Sequence, residues 1–131
     1  MFDVYVIDSE ALMVGRPNGI LDAQTAERIV DFVEIKEEQL EAGFNRFCDL
    51  NRLDGINISS EDLLQLAARR RAFNPNAVHV KSAFLAAHPL ALGVARTYEL
   101  LLQSPRIEVR VFQDLEGAAE WLSVKPDMLR L

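Results

Sequence analysis

Polar side chains that can bind an anion follow the ends of several predicted strands. They are Arg16, Asn18, Asn51, Arg52, Lys81, Ser82 and Gln113. Because ligands of an open parallel sheet bind beyond the carboxyl ends of its strands, we expect this set to lie along one edge. Guanidinium, ammonium and amide groups can bind a carboxylate or a phosphate. Without a paired general base, they cannot catalyse a reaction of the bound anion. The alternative interpretation is a set of polar loop ends with no ligand.

The chemistry of an enzyme is not evident elsewhere in the sequence. The phosphate-binding patterns GxGxxG and GxxxxGK[ST] and the hydrolase pattern GxSxG do not occur. His79 and His88 show no ligand spacing with Cys48 or with a pair of carboxylates. The sequence therefore predicts a protein with no catalytic residues, no cofactor and no metal. An enzyme that acts on an anionic substrate through the basic members of the set above is the least supported alternative.

Composition limits the broad class of the protein. The 131 residues suit one domain, and a domain of this size can bury about two-thirds of the surface of its unfolded chain. Twenty acidic against fourteen basic residues give a net charge of −6, which works against binding to nucleic acid. The single cysteine excludes an intramolecular disulfide, and no apolar run approaches the ~20 residues of a membrane-spanning helix. We therefore expect a soluble cytoplasmic protein that binds no nucleic acid and spans no membrane.

Hydrophobic periodicity predicts the order of strands and helices. The strands cover residues 3–7, 11–16, 44–50, 77–81 and 107–112, and the helices begin near residues 23, 60, 89 and 115. A tight turn joins the first two strands, which are therefore antiparallel, whereas each later strand follows a helix. This order predicts an α/β fold with a mixed, mostly parallel five-stranded sheet, one antiparallel N-terminal strand and helices packed on its faces. Residues 123–131 form a C-terminal tail that either docks or frays.

Two runs of charge lie late in predicted helices. The arginine run at residues 69–71 falls where the second helix should end, and cations there complement the helix dipole. Four glutamates within residues 34–41 surround a lysine late in the first helix, a pattern typical of a solvated face. We interpret both runs as exposed surface, with a phosphate clamp at the arginines as the alternative.

Three stretches carry a resemblance to a known group of domains. They are EVRVFQDLEGAAEWL at residues 108–122, FNPNAVHV at 73–80 and ALGVARTYELL at 91–101. With the order of elements, they resemble the SpoIIAA-like group, which is related to the STAS anti-sigma-factor antagonists and more loosely to the lipid-binding CRAL-TRIO domains. The resemblance implies a non-enzymatic cytoplasmic regulatory domain that binds a protein partner or self-associates. The CRAL-TRIO kinship implies an alternative, a small apolar or acyl ligand bound in a cavity that the helices at 29–40 and 90–102 leave open.

The same resemblance raises the question of a phosphorylation switch. In the STAS antagonists, the phosphorylated serine or threonine lies in a D-S-[ST]-G turn after the third strand. Here Asp49 ends the corresponding strand without a following serine, and Ser59 and Ser60 arrive ten residues later. A phosphate on Ser59 would meet favourable helix amides but also the charges of Glu61 and Asp62. Ser59 and Ser60 are candidate phosphorylation sites, and ordinary helix N-caps are the alternative interpretation.

Overall fold

The computed structural model describes residues 2–40, 42–73 and 78–130. Within them the strands are β1 (Phe2–Ile7), β2 (Leu12–Pro17), β3 (Gly19–Asp22), β4 (Asn45–Asp49), β5 (Leu53–Asn57), β6 (Val80–Leu85) and β7 (Ile107–Phe112). The helices are α1 (Ala23–Gln39), α2 (Ser60–Ala72), α3 (Pro89–Leu102) and α4 (Leu115–Leu122).

One mixed sheet of five strands organises the domain, in the order β1-β2-β4-β6-β7. β1 and β2 form an antiparallel hairpin, and the pairs β2 and β4, β4 and β6, and β6 and β7 are parallel. The predicted fold class, with its one antiparallel N-terminal strand, is confirmed. The register aligns Asp49, Leu85 and Phe112, which mark the carboxyl edge of the sheet.

Side-chain caps fix where the helices begin. Asp22 and Asp114 each accept a hydrogen bond from the backbone amide three residues later, at 2.8 and 2.7 Å. Ser59 forms a capping box with Asp62, in which each side chain accepts a bond from the other residue's amide. Such caps satisfy amides that the first turn of a helix leaves without a partner, so the helix starts are encoded locally.

The helices cover the two faces of the sheet unequally. One face packs against α4, and its core consists of Leu12, Val14, Phe47, Ala83, Leu85, Ala118, Ala119, Leu122 and Leu129. The other face lies under α2 and α3, with α1 packed against α2. The C-terminal segment 124–130 docks on the α4 side, where Leu129 is 1% exposed and the hydroxyl of Tyr5 donates to the carbonyl of Met128 at 3.0 Å.

Two local predictions were wrong. The strand placed at residues 77–81 runs instead from Val80 to Leu85, and residue 77 lies outside the described residues. Ser82 does not close this strand, because a small hydroxyl is accommodated inside it. The stretch 53–57, for which no strand was predicted, is a strand that pairs in parallel with β3 in a separate two-stranded sheet. Gly55 permits this pairing, since a Cβ there would lie 2.9 Å from the Cδ1 of Ile20.

Candidate functional site

The structure places five of the seven predicted anion-binding residues at the expected edge of the sheet and two at the opposite edge. Arg16 lies at the carboxyl end of β2, and Asn18, Asn51, Arg52 and Gln113 follow strands that end at the same edge. Asn51 is already engaged, because its side-chain oxygen accepts a hydrogen bond from the amide of Ala87 at 2.9 Å. For the other polar residues after these strands, an anion-binding role stays a prediction.

Arg16 is buried and holds parts of the fold together. Its guanidinium donates a hydrogen bond to the carbonyl of Leu129, and its Nε lies 4.0 Å from a carboxylate oxygen of Asp49. The same group lies 5.5 Å from the centre of the Tyr5 ring. The side chain is 6% exposed, so Arg16 anchors the docked C-terminal segment and has little surface to offer an external anion.

Lys81 and Ser82 are placed at the opposite edge from the one expected. Since β6 begins at Val80, both residues stand near its amino end, and the amide of Lys81 donates to the side chain of Asn45 at 2.9 Å. The Lys81 ammonium donates to the carbonyl of Trp121 at 2.9 Å and lies 5.2 Å from the centre of the indole. The expected common anion site with the carboxyl edge is therefore wrong for these two residues.

A cavity of about 150 Å³ lies between the sheet and the helices α1, α2 and α3. Its apolar lining includes Ile29, Val30 and Val33 of α1, Leu63 and Leu66 of α2, Val94 and Ala95 of α3, and Met13, Phe84 and Val109 of the sheet. This is the feature that the ligand-binding alternative required of the helices at 29–40 and 90–102. The cavity is thus the strongest candidate for a functional site in the described part of the chain.

Four polar side chains interrupt this apolar lining, those of Arg46, Arg70, Ser82 and Tyr98. They are neighbours, because Arg46 on β4 is paired in register with Ser82 on β6, while Arg70 lies close enough to Tyr98 to influence its pKa. Burial raises the pKa of Tyr98, although the charge of Arg70 opposes the rise, so the phenol keeps its proton at neutral pH. We call these four residues the polar wall of the cavity.

The two arginines of the polar wall also belong to a largely buried group of charges, which we call the Glu37 cluster. It consists of Glu34, Glu37, Arg46, Arg69, Arg70 and Arg106. Arg70 donates to both carboxylate oxygens of Glu37, at 2.7 and 2.9 Å, and Arg46 and Arg106 approach the same carboxylate at 2.8 and 3.3 Å. The carboxylate of Glu34 forms ion pairs with Arg69 at 2.8 Å and with Arg70 at 3.1 Å.

The protonation of Glu37 follows from these contacts. Burial alone would raise its pKa, but hydrogen bonds from Arg70 and the charges of Arg46 and Arg70 outweigh burial and lower the pKa to about 2. Glu37 is therefore ionised at neutral pH although only 4% of the residue is exposed. A carboxylate held in this way is a structural anion for three arginines and not a proton donor or acceptor near neutral pH.

The two charged runs are therefore not the solvated surface that the sequence indicated. Glu34, Glu37 and Arg70 are buried, whereas Glu38 and Arg71 are exposed. Arg71 is exposed and donates to the carbonyl of Leu102, at the end of α3, at 3.0 Å. All three arginines lie in the last turn of α2, where the sequence placed them, and Arg71 in addition reaches the end of α3.

The cavity offers no nucleophile with a base beside it. Cys48 lines the cavity, but burial, with the neighbouring charge of Asp49, raises its pKa to about 12. It is therefore a neutral thiol and a poor nucleophile at neutral pH. Among the residues that the structure describes, no three histidine, cysteine or acidic side chains are grouped so as to hold a metal ion. The arrangement can bind a molecule by shape and charge.

Ser59 and Ser60, the candidate phosphorylation sites, lie at the exposed start of α2. The Ser59 hydroxyl accepts a hydrogen bond from the backbone amide of Asp62 at 3.0 Å, as expected for a helix N-cap. Modification of either serine stays a prediction.

Solved structures of similar fold include two proteins that each match nearly the whole chain. An uncharacterised protein of the DUF3478 family from Shewanella loihica PV-4, with a SpoIIAA-like fold, is 17% identical, with 92% of this chain and 93% of that one covered and a TM-score of 0.60. The anti-sigma factor antagonist SpoIIAA in its unphosphorylated form is also 17% identical, with 94% and 98% covered and a TM-score of 0.55. The sequence matches no protein-family model and no curated protein. In the described residues no helix has the length and apolarity to cross a membrane.

Proposed function

We propose that this chain, which has the SpoIIAA-like fold, is a non-enzymatic cytoplasmic regulatory domain whose cavity binds a small apolar ligand. The cavity of about 150 Å³ between the sheet and the helices carries the proposal. Because side chains in proteins pack closely and leave few gaps larger than a water molecule, a space of this size between the sheet and three helices can hold a small molecule. A mostly apolar lining with a few convergent polar groups is the usual composition of a ligand site.

A binding role is better supported than a catalytic one by the groups that line the cavity. The thiol of Cys48 has its pKa raised to about 12, and the carboxylate of Glu37 is occupied by three arginines. Acid–base or nucleophilic catalysis needs a group whose pKa is tuned toward the working pH, and these two are shifted away from it. Binding a ligand would stabilise α1, α2 and α3 in one arrangement, because all three helices line the cavity.

A second candidate is a protein-interaction domain, as the likeness to an anti-sigma factor antagonist suggests. The supporting observation is a set of large apolar side chains exposed on the three helices beside the cavity. They are Ile35 at 55%, Leu64 at 44%, Leu90 at 51% and Leu100 at 70% exposure. A partner protein or a second copy would bury such side chains. The two candidates are compatible, since a ligand that fixes the helices could also control their outer surface.

Toluene is the probe for the first candidate. When isotope-labelled protein is titrated with toluene, we expect saturable changes in the amide chemical shifts of residues that line the cavity, such as Val30 and Val109. In the Ala95→Leu variant the added atoms enter the cavity, so toluene affinity should fall by at least about tenfold. Because the leucine fills existing space, stability should change by less than the roughly 1–3 kcal/mol that overpacking a filled core costs.

Arg96→Leu is the matched control for the cavity-filling variant. Arg96 is the next residue of α3 and is exposed, so the same leucine placed there should leave toluene affinity unchanged. If toluene does not bind the wild type, or if Ala95→Leu binds it as tightly, the ligand-binding proposal fails. The protein-interaction candidate would then be the better one.

A further inference from the structure

The charges of the Glu37 cluster do not balance among the described residues. Three of its arginines and both of its glutamates are at most 8% exposed, which leaves one positive charge in excess inside the protein. The remaining arginine, Arg69, is partly exposed and is neutralised by the exposed Asp31 at 2.6 Å. Burying a charge without a counter-charge costs free energy. A buried site with one positive charge in excess should therefore bind an anion that can reach it.

Arg46 is the member of the cluster that has a fully enclosed nitrogen without a hydrogen-bond partner among the described residues. Its two terminal nitrogens donate to Glu37 at 2.8 Å and to the carbonyl of Phe44 at 3.1 Å, whereas its Nε has no acceptor in the described part of the chain. That N–H is enclosed by protein atoms, so the side chain must shift slightly to meet a ligand. Burial lowers the pKa of Arg46 despite its bond to Glu37, as expected for a cation whose compensation is incomplete.

The polar wall puts further donors beside Arg46 at the surface of the cavity. Ser82 is its neighbour across the sheet, and Tyr98 carries a hydroxyl that keeps its proton at neutral pH because burial raises its pKa. Hydroxyl and guanidinium donors together suit a carboxylate, which accepts hydrogen bonds at both oxygens. The rest of the lining is apolar, so the part of the ligand that follows the carboxylate must be apolar as well.

The volume limits how large this ligand can be. An apolar cavity of about 150 Å³ accepts a molecule of roughly the size of benzene. A long-chain acid would not fit unless the helices moved apart, whereas a benzoate-sized acid needs only a small adjustment. One negative charge also matches the single positive charge in excess.

We propose that the cavity binds a small apolar monocarboxylate, with its carboxylate at Arg46, Ser82 and Tyr98 and its apolar body among the side chains of α1 and α3. The inference rests on the proposed function, because it names the ligand class of the same cavity. Benzoate is the probe that represents this class, and toluene is the uncharged molecule of nearly the same shape.

The test compares the dissociation constants of benzoate and toluene by titration of isotope-labelled protein at pH 7. Benzoate is expected to bind about tenfold more tightly than toluene, since only benzoate makes charge-assisted hydrogen bonds. Tyr98→Phe removes one donor and preserves the ring, so it should weaken benzoate about three- to tenfold and leave toluene unchanged. Arg46→Leu should remove the preference for benzoate, provided that its spectrum shows a folded protein.

Tyr5→Phe is the matched control, because Tyr5 packs on the opposite face of the sheet and its loss of a hydroxyl should not affect benzoate. Toluene binding as tightly as benzoate, or a Tyr98→Phe variant that weakens both ligands equally, would overturn the carboxylate inference and leave the proposed function standing. If neither ligand binds, the proposed function fails as well.

Discussion

Replacement of Glu37 by glutamine is expected to lower the free energy of unfolding by about 3–5 kcal/mol. Glutamine nearly preserves the shape of the side chain but removes the negative charge that Arg46, Arg70 and Arg106 share. The variant would leave three buried cations with one buried glutamate, and uncompensated buried charge is among the most destabilising changes a protein can undergo. Urea denaturation at pH 7, monitored by circular dichroism, measures the loss.

Glu38→Gln provides the control, because Glu38 is the next residue on α1 and is exposed. The same chemical change there should alter the free energy of unfolding by no more than about 0.5 kcal/mol. If the two substitutions lower the free energy of unfolding equally, the Glu37 cluster does not stabilise the fold as we expect.

The pH dependence gives an independent check on the same residue. The pKa of Glu37 falls from an ordinary value of 4.5 to about 2 in the folded protein, so its contribution is present above pH 4.5 and is lost as pH falls toward 2. For the wild type this loss should be about 3 kcal/mol, and Glu37→Gln should lack it.

Replacement of Leu129 by alanine is expected to destabilise the fold by about 2–5 kcal/mol. Leu129 is 1% exposed and packs in the core on the α4 side of the sheet, although it lies close to the C-terminus. The substitution would leave a cavity where the C-terminal segment docks, and the bond from Arg16 to the carbonyl of Leu129 would be held less firmly. Urea denaturation again measures the change.

Asp127→Ala is the control for the docked segment. Asp127 lies in the same turn and pairs with Arg130 at 2.8 Å, but its side chain is 89% exposed, and exposed pairs contribute only about 0–1 kcal/mol. If the C-terminal segment frays, Leu129→Ala should lower the free energy of unfolding no more than Asp127→Ala does. That result would contradict the docked position of the segment.

The sequence predicted the architecture well because its strongest signals are local. The alternation of Ile107, Val109 and Val111 and the cap at Asp114 define β7 and α4, and the observed bounds agree. The order of elements then determines the mixed sheet, since a hairpin followed by strand-and-helix repeats has few compact solutions. The resemblance to the SpoIIAA-like group is likewise confirmed as a likeness of fold.

The buried charges were missed although a signal for them exists in the sequence. Ala26, Val30, Val33 and Glu37 recur at helical spacing on α1, so the buried face continues into the glutamate. Leu63, Leu66 and Arg70 repeat the pattern on α2. A charged residue in an apolar periodicity is normally taken to end the buried face, and only the approach of α1 to α2 reveals that Glu37 and Arg70 neutralise each other.

The cavity could not be predicted from sequence, because it depends on how far three helices stand from the sheet. Periodicity identifies which side of each helix faces inward, but the same inward residues can close on the sheet or leave a gap. The end of β6 was predicted wrongly because the role of one small polar residue also depends on the cavity. Ser82 was read as a strand end, whereas its small side chain is one of the polar groups that line the cavity.

Xenon binding in a crystal tests the central claim, an open apolar cavity beneath α1 and α3, most directly. Xenon occupies apolar cavities of this size without needing any polar contact. We expect a xenon site bounded by Val30, Ala95 and Val109, and we expect this site to be lost in Ala95→Leu crystals. A core without xenon, with side chains filling the space between the helices and the sheet, would contradict it.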